Sequence, residues 1–97
     1  MQEQARLLDN KDIEVRRDAV ESLRGKVSEE SIALLLKAMK DTSWRVRKAA
    51  VDILLDEYPI ESYIKRLIDL LYIEDNAGAR NSAIETLTRL DKKATPF

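Results

Sequence analysis

The sequence predicts an all-α fold, a short α-solenoid of about two and a half to three stacked helical hairpins, on three observations. Gly and Pro number only two each in 97 residues, while 44% of the chain is hydrophobic and 36% charged, a composition suited to long helices. One nine-residue pattern recurs three times at offsets of 31 and 33 residues. Capping residues stand immediately before each copy.

In chain order, the first helix is a stub over roughly Gln2 to Asp9, with Leu7 and Leu8 facing inward. Asp12 caps the first pattern helix, Val15-Arg16-Arg17-Asp18-Ala19-Val20-Glu21-Ser22-Leu23, and Gly25 ends it. Ser28 caps a helix from Glu29 to Lys40, where Glu29 and Glu30 favour the helix dipole; its apolar face is Ile32, Leu35, Leu36 and Met39. Ser43 opens the second copy, Val46 to Leu54. Pro59 suits the first turn of a helix from Ile60 to Glu74, with Ile64, Leu67, Ile68 and Leu71 as its face. Asn76 or Asp75 caps the third copy, Ala79 to Leu87.

Four columns of the pattern agree closely: Val15/Val46/Ala79, Arg16/Arg47/Arg80, Ala19/Ala50/Ala83 and Leu23/Leu54/Leu87. The apolar positions advance by four, one and three residues and so share one helical face. The alanine column marks where helix backbones approach closely, since only a small side chain fits there. The unit is a hairpin, with repeats at approximately 1–27, 28–57 and 58–91; residues 92–97 are a tail or the start of a further repeat, Ala94-Thr95-Pro96-Phe97 reading as the opening of a helix.

Composition excludes several functions. Without cysteine the chain has no disulfides, thiolate nucleophiles or thiolate metal sites, and without histidine it lacks the commonest general base. Lys+Arg number 17 against 18 Asp+Glu, and the signs balance within each third of the chain, which argues against nucleic acid as partner. Met1 to Arg6 has no apolar signal-peptide core, and no apolar run approaches a membrane span, so the expected location is cytoplasmic.

The segments Leu7 to Leu23, Met39 to Leu54 ("MKDTSWRVRKAAVDIL") and Leu71 to Leu87 resemble the HEAT-repeat family, in particular bacterial and archaeal HEAT-like repeats of the phycobilisome-lyase type. The resemblance implies a non-catalytic scaffold that binds a protein or peptide partner without a cofactor. It also implies a ladder in which a turn residue bonds an arginine six positions on: Asn10–Arg16, Asp41–Arg47 and Glu74–Arg80. The second helix of each hairpin would line the concave face and carry the partner surface: Arg17, Glu21 and Arg24; Lys48, Asp52 and Leu55; Asn81, Glu85, Thr88 and Arg89. Arg17–Glu21 and Lys48–Asp52 stand at the spacing of helical ion pairs, which alternatively makes this a solvated face.

Trp44, in line with Ile13 and Ala77, is expected to pack on the turn between repeats, and Tyr58 and Tyr63 to form an exposed aromatic patch beside Pro59. The last helix offers Ala83, Ile84, Leu87 and Leu90, more apolar surface than one hairpin covers, which points to a homodimer or to continuation into further repeats. Two other functional readings are weighed: a nucleic-acid-binding module, and a regulatory or lyase-type subunit acting on a cofactor-bearing protein. The acidic row Glu21, Asp52 and Glu85 lacks the histidine partners that a metal enzyme of similar repeats would use.

Overall fold

The protein's structure, a computed structural model, describes residues 2–94. Six α-helices follow in order: α1 Gln2–Leu7, α2 Ile13–Glu21, α3 Glu29–Ala38, α4 Trp44–Glu57, α5 Ile64–Leu70 and α6 Ala77–Ala94, with a 3-10 turn at Ile60–Ser62 before α5. They pair as hairpins α1–α2, α3–α4 and α5–α6. Among the hairpins, α2 packs on α4 and α4 on α6, while the first helices lie further apart. The second helices are therefore the closely packed layer of the stack.

Local chemistry accounts for the helix starts. Asp12 accepts from the Glu14 amide, Ser28 from Ser31, Ser43 from Arg45 and Asn76 from Ala79, each satisfying a donor left free at a helix N-terminus. Gly25 follows α2 at φ +83, a conformation that a side chain would strain, and its amide donates to the Glu57 carboxylate of the next hairpin. The alanine column lies in the core, with Ala19 at 2% exposure and Ala50 and Ala83 at 0%. Val20, Leu23, Val51 and Leu54 surround it, all fully buried.

The third hairpin departs from expectation. Pro59 precedes a 3-10 turn instead of an α-helix, Tyr63 breaks the chain direction at φ −140 and ψ −5, and α5 ends at Leu70 instead of Glu74. The buried face becomes Tyr63, Leu67 and Leu70, leaving Ile68 40% exposed. Positions 63, 67 and 70 have helical spacing as good as the expected set, so periodicity alone did not choose between them.

The expected aromatic patch at Tyr58 and Tyr63 is not formed, since both rings are buried. The extended backbone of Tyr58 turns its ring inward, where the hydroxyl accepts from the Ser28 amide. Tyr63 enters the core at the break, and its buried hydroxyl has no hydrogen-bond partner among the described residues. Burial, with the Glu61 charge nearby, pushes the Tyr63 phenol above its ordinary pKa. Residues 92–94 continue α6, so Ala94 does not open a further helix as expected, and the rest of that reading, Thr95-Pro96-Phe97, lies outside the described residues.

Candidate interaction surface

Each second helix places its first residue just after the cap, at the rim of the α2–α4–α6 layer. Ile13 is 43% exposed there and Trp44 65%. Trp44 thus corrects its expected place in the turn: as the first residue of α4 after the Ser43 cap, it is exposed to solvent. It borders two clefts at once. One, of about 260 Å³ between α2 and α4, is lined by Arg17, Glu21, Arg45, Lys48 and Asp52. The other, of about 270 Å³ between α4 and α6, is lined by Arg47, Lys48, Asn81 and Glu85.

Most of the charges predicted for a partner are engaged with one another. Arg24, in the turn after α2, meets Glu21 at 3.4 Å and crosses to Asp56 on α4 at 3.1 Å. Lys48 meets Asp52 at 2.9 Å, and Arg89 on α6 reaches the same carboxylate at 2.7 Å. Burial alone would raise the Asp52 pKa, but hydrogen bonds from Arg89 and Lys48 outweigh it and hold the carboxyl below its ordinary value. The Asp56 carboxylate is the main cause that raises Arg24, against partial desolvation. Arg45 of α4 adds a 2.9 Å link to Glu14 of α2.

The expected Arg17–Glu21 pair is absent, because Glu21 turns to Arg24 and Arg17, among the described residues, meets only Asp18, at 3.9 Å. Asn81 and Glu85 are exposed, and Glu85 makes no ion pair among the described residues. Leu55 does not belong to the surface: it is 6% exposed, under the long C-terminal half of α6, where Lys93 donates to the Leu55 carbonyl. Glu21, Asp52 and Glu85 do not converge, and no group of three such ligands among the described residues could hold a metal ion.

The arginines are wired differently from the expected ladder. Each arginine donates through Nη1 to carbonyls of its own turn: Arg16 to Asn10 and Lys11, Arg47 to Asp41 and Thr42, Arg80 to Ile73 and Glu74. The turn side chains of Asn10, Asp41 and Glu74 are not the partners at six residues' distance. Asp41 instead receives Arg16 of the preceding hairpin in a bidentate pair, at 2.9 and 3.1 Å. A guanidinium held by two carbonyls from its own turn points its remaining edge forward, toward the next hairpin. The sequence signal for this was the Asp itself, which only the middle turn has in the Asn10/Asp41/Glu74 column.

Trp44 is a surface residue that sequence reasoning missed. Its column, Ile13/Trp44/Ala77, varies widely in volume, whereas the core columns repeat nearly the same size. A column that tolerates Ile, Trp and Ala has no fixed hole to fill, and that was the available signal.

A family model described as HEAT repeats matches residues 4–88 of the chain. Searches of curated proteins and of solved structures returned no match.

Proposed function

The chain belongs to the HEAT-repeat family, and from that premise we propose that it is a non-catalytic scaffold that holds a peptide segment of a protein partner across its second helices. HEAT repeats generally serve as protein-interaction scaffolds. The observation that carries the finer reading is Trp44, a large aromatic exposed between two clefts in the closely packed layer. Aromatic anchors of this kind supply most of the binding energy at protein interfaces. Around it, Arg17 and Glu85 offer opposite charges, while the remaining rows are neutralised internally. The partner segment then pairs an apolar residue with charges of both signs. The scaffold is proposed to work in the cytoplasm, since a chain without cysteine makes no use of the disulfide chemistry of secreted domains.

The test uses affinity capture from native extract with three forms of the chain. Trp44→Ala combined with Lys48→Glu is expected to lose the specific partner, because removing a hot-spot aromatic costs about 2 kcal/mol or roughly thirtyfold in affinity. Lys65→Ala, on the first-helix side, retains it. With a partner in hand, the single tryptophan also reports binding by a blue shift of its emission. Equal capture by the double variant and the wild type would refute this face as the binding surface.

A further inference from the structure

Two charge clusters on the α2–α4–α6 layer are unbalanced, in opposite senses. In one, a single carboxylate serves two cations: Lys48 Nζ lies 2.9 Å from Oδ2 of Asp52, and Arg89 Nη1 lies 2.7 Å from Oδ1. In the other, a single cation serves two carboxylates, Arg24 meeting Glu21 at 3.4 Å and Asp56 at 3.1 Å. The second cluster lies further along the layer, Asp56 standing two turns beyond Lys48 on α4. The surplus positive charge therefore sits near the start of α4, close to Trp44.

That surplus belongs to Lys48 and not to Arg89. Arg89 makes the shorter contact, and its reach from α6 ties two helices together. Against burial, which raises the Asp52 pKa, the hydrogen bond from Arg89 lowers it more than the one from Lys48. The Lys48 side chain is 54% exposed, and an exposed pair four residues apart on one helix contributes little to stability. Releasing Lys48 leaves Asp52 compensated by Arg89. Lys48 is also the cation best placed for a ligand: it and Trp44 are the two residues that line both clefts. Arg17 borders the α2–α4 cleft alone, Arg45 is matched singly by Glu14, and Arg47 is held by the carbonyls of Asp41 and Thr42.

We infer that Lys48 selects the partner segment, leaving Asp52 to Arg89 and receiving an Asp or Glu side chain of the partner beside the apolar residue on Trp44. Such selection presupposes that the α2–α4–α6 face is the binding surface. One helical turn rises about 5.4 Å and an extended chain advances about 3.3 Å per residue, so the acid falls within about three residues of the apolar one. One surplus cation matches one carboxylate, whereas a phosphorylated residue brings a charge of about −2.

Octapeptides selected from a random display library on the full chain, then titrated by the emission of its single tryptophan, test this exchange. Enriched peptides are expected to carry an apolar residue with Asp or Glu within about three positions. Their affinity should exceed that of the same peptides bearing Asn or Gln in place of the acid by about three- to fivefold. Lys48→Gln should abolish that preference while the apolar residue still binds. Arg89→Gln should abolish it too, because Lys48 then has to stay on Asp52. Lys92→Gln, which removes a positive charge from α6 without touching Asp52, should keep it. Enrichment without an acid, or an acid preference that survives Lys48→Gln or Arg89→Gln, overturns selection by Lys48 and leaves the binding face standing. No enrichment on the wild-type chain, or the same enrichment on Trp44→Ala combined with Lys48→Glu, overturns both.

Discussion

The seam between the first and second hairpins and the seam between the second and third solve one packing problem by different chemistry. At the first, Arg16 reaches forward to a carboxylate, and the Arg16 and Asp41 side chains are only 12% and 10% exposed. At the second, Arg47 occupies the same column but meets no carboxylate among the described residues. Its guanidinium lies over Gly78 in the first turn of α6, so close that a Cβ there would sit 2.9 Å from Nη1. The Asn76 side chain makes the crossing hydrogen bond instead, 3.0 Å to the Lys40 carbonyl. What stays constant across all three hairpins is the pair of carbonyls from the arginine's own turn. The arginine therefore recurs for the turn, and the link to the next hairpin is free to vary.

The largest expected effect breaks the first seam alone. Asp41→Ala leaves the Arg16 charge nearly buried without its partner and removes the carboxylate that also accepts from the Ser43 amide. Removing one member of a buried pair costs about 3 kcal/mol at the low end of its range. The aligned change Glu74→Ala removes an exposed side chain with no ion pair among the described residues and should cost less than about 0.5 kcal/mol. Chemical denaturation of the two variants measures the contrast; equal losses would show that the seams are equivalent after all.

A smaller effect separates the seams by pH. The first seam is bridged by Arg24, just after α2, to Asp56 of α4, the second in the reverse sense, by Arg89 of α6 to Asp52 of α4. Asp52 titrates below its ordinary value in the folded state, so its contribution is present above the unfolded pKa, near 3.8, and fades as pH falls through the lower folded value. Asp52→Asn should cost about 1 kcal/mol or less at neutral pH. The gap between variant and wild type should narrow below pH ~4. Thermal melts at pH 7 and pH 3 measure it, and a gap constant across that range would separate Asp52 from the acid response.

The repeat columns made the architecture legible, because size and polarity recur where a hole of fixed shape recurs: Ala19, Ala50 and Ala83 are the clearest case. Caps were legible for a local reason, each side chain reaching only two or three residues along the chain. Tyr63 was not, since the 3-10 turn that swings it inward leaves an apolar spacing compatible with one long helix. Leu55 misled because its column partners Arg24 and Thr88 lack the cover that the 18-residue α6 extends over α4. For the surface, residue types were legible but pairings were not. Glu21 has arginines at positions 17 and 24, and only tertiary placement of Asp56 draws Arg24 into a shared cluster.

The finest distinction between the seams rests on a missing methyl group. Replacing Gly78 by Ala should itself favour α6 by up to about 1 kcal/mol, through the lower backbone entropy of the unfolded chain. At this site the new Cβ meets Arg47 at 2.9 Å, and the guanidinium cannot yield without straining its bonds to Asp41 and Thr42 at 2.8 and 3.1 Å. Each of those bonds contributes roughly 1 kcal/mol, so gain and loss nearly cancel and Gly78→Ala alone should fall within about 0.5 kcal/mol of zero. Once Arg47→Ala has removed the obstacle, the same substitution should become stabilising by close to the full helix-propensity difference. The double-mutant cycle reads that change directly. Equal effects of Gly78→Ala in both backgrounds would mean that Arg47 does not need the glycine, and that the second seam has no counterpart to the carboxylate of the first.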